Sequence, residues 1–344
     1  MWYLKSQPVE DEPSMQQTTV GTIAHNWNFT PDFPTLPPNL IERPHLLQTM
    51  VDVLAGETLV LFLEGEEGDG ATTTLAQFCH AYPSDTFSLF IKPASRMAYS
   101  LDYLRLALAE QFYWHVFGES LNKDPLTESE FNNLKLRVLS KHRGRTLYFV
   151  VDGLHQIPLE DRRVITSIFT DLLPIGAGRC RLIVTGQQSA LTGYLHSSVK
   201  SKPYQLLKLR LEECRSFLSD TGIDDAECGK IYELCKYGSP GRLAVVRRLL
   251  LSGTPLSNIL ETDPTKYLEF VKLEFDILGD LGESELLVVS LVAFSKMSLT
   301  LADLVAMVKN EPEEVRNTIA KCQFLYTSAA VSYTHLTLPT SDLV

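Results

Sequence analysis

Three glycines set among carboxylates carry the clearest chemistry in this sequence: Leu59-Val-Leu-Phe-Leu-Glu-Gly65-Glu-Glu-Gly68-Asp-Gly70-Ala71-Thr72-Thr73-Thr74-Leu75. An apolar run precedes them and a helix-compatible run follows, so Gly65, Gly68 and Gly70 stand where a strand turns into a helix. Glycines there let successive backbone N–H groups turn inward around phosphate oxygens at a helix N-terminus, as in the pattern G-x-x-x-x-G-K-[ST]. On that pattern Thr72 falls where a hydroxyl ligates Mg²⁺, and Thr73 where a side chain reaches an α-phosphate. Ala71 replaces the lysine that bridges the terminal phosphates and stabilises charge developing in phosphoryl transfer. Glu64, Glu66, Glu67 and Asp69 crowd the same turn. One carboxylate ~7 Å from a phosphate charge costs about 2 kcal/mol at an effective dielectric of ~20. Hydrolysis should therefore suffer more than binding. Taken alone, the stretch is equally a glycine-rich turn with no ligand.

A second element shifts the balance. Arg145-Thr-Leu-Tyr-Phe-Val-Val-Asp152-Gly-Leu-His-Gln156 is an apolar strand ending in aspartate, and Asp152 is the residue expected to hold Mg²⁺ through water. No carboxylate follows among Gly153 to Gln156. Gln156 can position a water but cannot accept its proton. A third strand, Cys180-Arg-Leu-Ile-Val-Thr185-Gly-Gln187, ends in two weaker candidates for sensing a γ-phosphate, Thr185 and Gln187. Lys92, Arg96 and Arg242 are candidate cations to stand in for the lost lysine.

These residues need a scaffold, and the apolar spacing supplies one. Five short runs, Leu59 to Leu63, Phe87 to Ile91, Leu147 to Val151, Leu182 to Thr185 and Leu206 to Leu209, alternate with helix-length segments that include Leu101 to Phe117, Glu128 to His142 and Asp161 to Leu172. Strands alternating with helices predict an α/β domain with a parallel sheet covered on both faces. Residues 1–38 read as a Pro-, Gln- and Thr-rich arm, 39–210 as the sheet domain with Leu40 to Leu54 as its entering helix, and 211–281 as an all-α helical lid broken at Gly238-Ser239-Pro240-Gly241. Residues 282–335 read as three helices (Glu285 to Phe294, Leu301 to Val308, Glu311 to Lys321) followed by strands at Gln323 to Tyr326 and Val331 to His335, a winged-helix-like outline. The tail 336–344 reads as frayed or non-native, because Tyr333-Thr-His-Leu-Thr-Leu-Pro-Thr340 looks like translated adapter DNA.

Composition narrows the partners. A formal charge of −11 over 344 residues disfavours broad attraction to nucleic acid or anionic lipid. In the winged-helix-like unit, Thr300 to Lys321 carries Lys309, Arg316 and Lys321 against Asp303, Glu311, Glu313 and Glu314, which points to protein rather than DNA partners. The six cysteines, Cys79, Cys180, Cys214, Cys228, Cys235 and Cys322, show no C-x-x-C or zinc spacing and read as reduced core thiols. With no run of 18 uncharged apolar residues, the chain reads as soluble and cytoplasmic.

Together the motifs resemble the STAND class of signalling P-loop NTPases, NACHT-like and other AAA-related bacterial members, over roughly Leu40 to Tyr333. The resemblance implies that Arg43 belongs to a motif approaching the nucleotide base, that Gly65 to Thr73 is Walker A, that Leu147 to Asp152 is Walker B, and that Pro240 lies against adenine. It implies ATP or ADP with Mg²⁺, a regulatory switch with weak or absent hydrolysis, flanking effector or sensor regions, and oligomerisation. The rival reading is a scaffold that keeps the fold and has lost the ligand.

Overall fold

Residues Val60, Leu61, Phe62 and Leu63 are all essentially inaccessible to solvent, which only a central strand packed on both faces allows. In the computed structural model, which describes residues 33–34, 36, 40–91, 96–121, 126–263, 281–294, 299–321, 326–328 and 335–337, they form β1 (Val60–Glu64). Its partners are β2 (Thr86–Phe90), β3 (Leu147–Asp152), β4 (Cys180–Thr185) and β5 (Ser201–Gln205), all parallel, in the order β2-β3-β4-β1-β5. Alternate side chains separate two cores. Val60 and Phe62 join Phe149, Val151, Leu182 and Val184 beneath α3 (Leu101–Phe117), α4 (Glu128–Lys141) and α5 (Arg162–Ser167). Leu61 and Leu63 join Val150 and Ile183 beneath α1 (Pro44–Ala55) and α2 (Ala71–Ala81). The expected sheet with helices on both faces is present.

Two predicted elements differ. The fifth strand is Ser201–Gln205, not Leu206 to Leu209. It is an edge strand, mostly exposed and containing Pro203, so hydrogen bonding to β1 defines it without an apolar run. Leu206 still donates its N–H to Glu64 O at 2.7 Å and is buried, but it leads away from the sheet. The helix expected over Asp161 to Leu172 is α-helical only to Ser167 and continues as a wider π-turn over Ile168–Leu172, which keeps Ile168, Phe169 and Leu172 on the core.

With α6 (Gln188–Leu191) ahead of β5, the helices that follow it in the lid among the described residues are α7 (Leu211–Phe217), α8 (Asp225–Leu234), α9 (Pro240–Leu251) and α10 (Leu256–Leu260). They close around Leu209, Cys214, Ile231, Leu243, Val246, Leu249 and Ile259. Beyond, Glu283–Phe294, Leu301–Val308 and Pro312–Lys321 pack through Val288, Val292, Leu304 and Val315. A small antiparallel sheet, β6-β8-β7, accompanies them: β6 (Leu299–Thr300), β7 (Tyr326–Ser328) and β8 (His335–Thr337). The last two strands include Tyr326 and His335, where the apolar runs end; the earlier residues of those runs lie outside the described residues, and β8 crosses the boundary placed at residue 335. The expected arm, apart from residues 33, 34 and 36, the end of the lid beyond residue 263, Lys92 and Cys322 lie outside the described residues.

Candidate functional site

The site lies at the carboxyl ends of the parallel strands, where loops can converge on one point. Gly68 and Gly70 both adopt left-handed backbone, φ 83° and 81°, conformations glycine takes without a side-chain clash. Asp69 between them is 1% exposed. One of its carboxylate oxygens accepts the Glu66 N–H at 2.9 Å, while the Asp69 N–H donates to Glu66 O at 3.0 Å, so the loop is tied to itself. Gly70 is the N-cap of α2 and supplies no side-chain acceptor, and the first turn of α2 has no acidic residue. The helical ladder starts with Thr74 N–H on Gly70 O, leaving the N–H groups of Ala71, Thr72 and Thr73 ahead of it as anion donors.

The acidic crowding expected from sequence is largely dispersed. Glu64 accepts the Gln188 N–H at 2.7 Å, Asp69 faces into the loop, and Glu66 pairs with Lys236 at 2.8 Å. Lys236, with support from Lys208 and Arg242, holds the Glu66 carboxyl below its ordinary range. A pair this exposed contributes little to stability, but it does remove one negative charge from the loop.

Thr72 donates to Asp152 Oδ2 at 2.6 Å, joining the start of α2 to the end of β3. Thr185 donates a close hydrogen bond to Asp152 Oδ1 and accepts the Gly153 N–H at 3.3 Å. The sheet order explains this: β4 lies beside β3, so its terminal side chain reaches the end of that strand. Asp152 is 7% exposed, and two hydroxyls orient its carboxylate. Gly153 is required as glycine. Its φ is 83°, and a Cβ there would lie 2.1 Å from Ile91 O. Gln156 is half-buried in a short 3₁₀ turn beyond Asp152, and Gln187 is exposed at the N-cap of α6.

From the helical unit, the Gly241 N–H donates to Gly68 O at 2.7 Å and the Ser239 hydroxyl donates to the same oxygen at 3.1 Å. A Cβ on Gly70 would lie 3.6 Å from the Pro240 ring, so Pro240 rests on the loop itself. Arg43 sits half-buried at the N-cap of α1, donating to Lys208 O at 3.4 Å, and burial lowers its pKa. Lys208 in turn donates to Lys236 O at 3.2 Å. Of the substitute cations, Arg242 is buried beside Ser239, donating to its hydroxyl at 3.4 Å, while Arg96 pairs with Asp161 at 2.6 Å. Sequence reasoning missed Lys236 and Lys208. Only their nearness to Gly238-Ser239-Pro240 and to β5 marks them, and lysine is common in such places.

The arrangement fits a nucleotide and its metal in its donor set: a helix N-terminus for phosphate, and a threonine hydroxyl and a carboxylate as the hard oxygen donors Mg²⁺ prefers. No family model and no curated protein matches the chain. Among solved structures, a signal transduction ATPase with numerous domains (STAND) carrying a tetratricopeptide repeat sensor, from Pyrococcus horikoshii, is similar at TM-score 0.52 and 14% identity, over 90% of this chain and 43% of that one. The chain thus spans less than half the length of that protein. A Walker-type ATPase of Pyrococcus abyssi matches at TM-score 0.47 and 12% identity over 90% and 97% of the two chains, and the Aeropyrum pernix ORC1 protein, solved in complex with DNA, at 0.41 and 13% over 92% and 95%. With the parallel sheet, the glycine loop opening α2 and Asp152 ending β3, the chain has the P-loop NTPase fold.

Proposed function

We propose that the chain is an ATP- or ADP-binding regulatory switch of the STAND signalling type, with weak or absent hydrolysis. The supporting observation is that both units grip one loop: Thr72 ties it to Asp152 of the sheet, and Gly241 and Ser239 tie it to the helical unit through Gly68 O. A ligand at such a junction contacts both units at once, the requirement for biasing their separation.

On this reading the amides of Ala71, Thr72 and Thr73 bind phosphate, Thr72 and Asp152 hold Mg²⁺, and Pro240 and Arg43 lie on the base side. Bound Mg²⁺ supplies charge neutralisation of the phosphates. Thr185 keeps the Asp152 carboxylate aimed at the loop. Gln156 can orient water but cannot take its proton, and Ala71 adds no charge, so turnover is slow. Titration with labelled ATP and ADP in Mg²⁺ tests the reading, which fails if neither binds at near-millimolar concentration.

The buried Asp69 carboxylate and the absence of a lysine at Ala71 favour the second reading, a scaffold or interaction module that does not bind nucleotide. Ala71→Lys separates the two, because a working phosphate site gains affinity and a scaffold does not. We read residues 282–335 as a winged-helix-like hinge toward protein partners, supported by its three helices, its antiparallel strands and its acidic balance. Arg316 is already paired with Glu313 at 3.1 Å. DNA binding there would show steep salt dependence. The chain is read as cytoplasmic. Among the described residues no helix is long and apolar enough to cross a membrane.

A further inference from the structure

Resting on the nucleotide reading above, we propose that Lys236 supplies the terminal-phosphate cation that Ala71 cannot, reaching across the phosphate loop from the turn between α8 and α9.

The side chain already spans the two units. Lys236 Nζ lies 2.8 Å from Glu66 Oε2, and the side chain is 30% exposed, so the ammonium is close to the loop yet free to swing. An ammonium on a four-carbon stem is a mobile point charge, able to exchange one exposed carboxylate for a more highly charged phosphate group. Glu66 then serves as its resting partner.

The backbone beneath it is strained. Lys236, Tyr237 and Gly238 have φ values of 51°, 60° and 96°, three left-handed residues in succession. Gly238 has no alternative, because a Cβ there would lie 2.1 Å from Leu209 O. At 236 glycine would also relieve strain, yet the position carries one of the longest side chains. The turn is held from several sides: Tyr237 N–H on Tyr232 O at 2.9 Å, Leu209 N–H on Gly238 O at 2.9 Å, and Lys208 Nζ on Lys236 O at 3.2 Å. Strain maintained this firmly under a side chain aimed at a ligand loop points to work done by that side chain.

The electrostatics agree. Lys236 is the main cause of the lowered Glu66 pKa, with Lys208 and Arg242 adding to it, so these cations already act on the loop that lacks its own lysine.

Calorimetric titration of the full chain with Mg-ATP, Mg-ADP and AMP tests the proposal. Lys236→Gly relieves left-handed strain, so its thermal midpoint should hold or rise. Its ATP affinity should fall about tenfold, its ADP affinity less, and its AMP affinity not at all, while Lys236→Arg should keep most of the ATP affinity. Lys200→Met, which breaks the pair with Glu57 at the amino ends of the strands, should leave all three unchanged. The proposal is overturned if Lys236→Gly binds ATP as the unaltered chain does, or loses ATP and AMP affinity equally. A gain in ATP affinity also overturns it and marks the Glu66 pair as an inhibitory latch. Failure of the unaltered chain to bind any of the three overturns the nucleotide reading and this proposal with it.

Discussion

Both carboxylate oxygens of Asp152 are committed to threonine hydroxyls, one from the loop helix and one from the neighbouring strand. A nearly buried carboxylate that loses a donor keeps its desolvation cost. Thr72→Val should therefore destabilise the chain by about 1–3 kcal/mol, with Thr72→Ser near neutral, read as the urea unfolding midpoint. Gly153→Ala should cost more, above about 2 kcal/mol, because left-handed strain adds to a Cβ set 2.1 Å from Ile91 O. A midpoint like that of the unaltered chain would refute the close approach of β2 and β3 at this point. Thr72 and Asp152 were legible from spacing alone. The role of Thr185 as the orienting partner of Asp152 was not, because it depends on which strand lies beside β3. Glu66 and Asp69 looked alike in sequence, yet one is paired across the unit boundary and the other is folded under the loop.

Among the elements, β2 is an edge strand, and edges must satisfy peptide groups that no further strand pairs. α3 does this with one side chain. Gln111 accepts the Ser88 N–H at 2.8 Å and donates to Ser88 O at 2.8 Å, mimicking a strand neighbour. Ser88 is 1% exposed, so Gln111→Leu strands a buried donor and a buried acceptor and should cost about 2–4 kcal/mol by urea unfolding. A loss below that range would mean water reaches the strand edge. Helices α3 and α4 were readable to within a residue as helix-length segments between apolar runs, and in the structure Ser100 and the Thr127–Glu130 capping box fix their starts. The opposite edge was not: β5 is held by backbone pairing to β1 and carries no hydrophobic signature.

At the scale of the molecule, a titrating pair adds a pH dependence to stability. His115 and His142 bring their Nε2 atoms to 2.5 Å between the ends of α3 and α4, a contact that requires at least one unprotonated ring. Burial, then Arg145, pulls the His142 pKa below its ordinary 6.5, with Asp85 opposing. The unfolded chain therefore takes up the proton more readily. Stability is full above that value and declines as pH falls below it. Urea midpoints should drop between about pH 7.5 and pH 5.5, and His142→Phe should flatten the drop. A profile that does not flatten would place the sensitivity elsewhere, for instance at His80, whose pKa burial also lowers.

The sequence by itself determined the α/β alternation, the glycine turn at residues 65–70, the strand ending at Asp152 and the loss of a lysine at Ala71, because each is a local pattern of residue type and spacing. Only the tertiary structure decided that Thr185 would hold Asp152, that Ser239 and Gly241 would close on Gly68, and that Lys236 would stand over the loop 170 residues before it. Those contacts depend on strand order and on the docking of one unit against another, and neither leaves a periodicity in the chain.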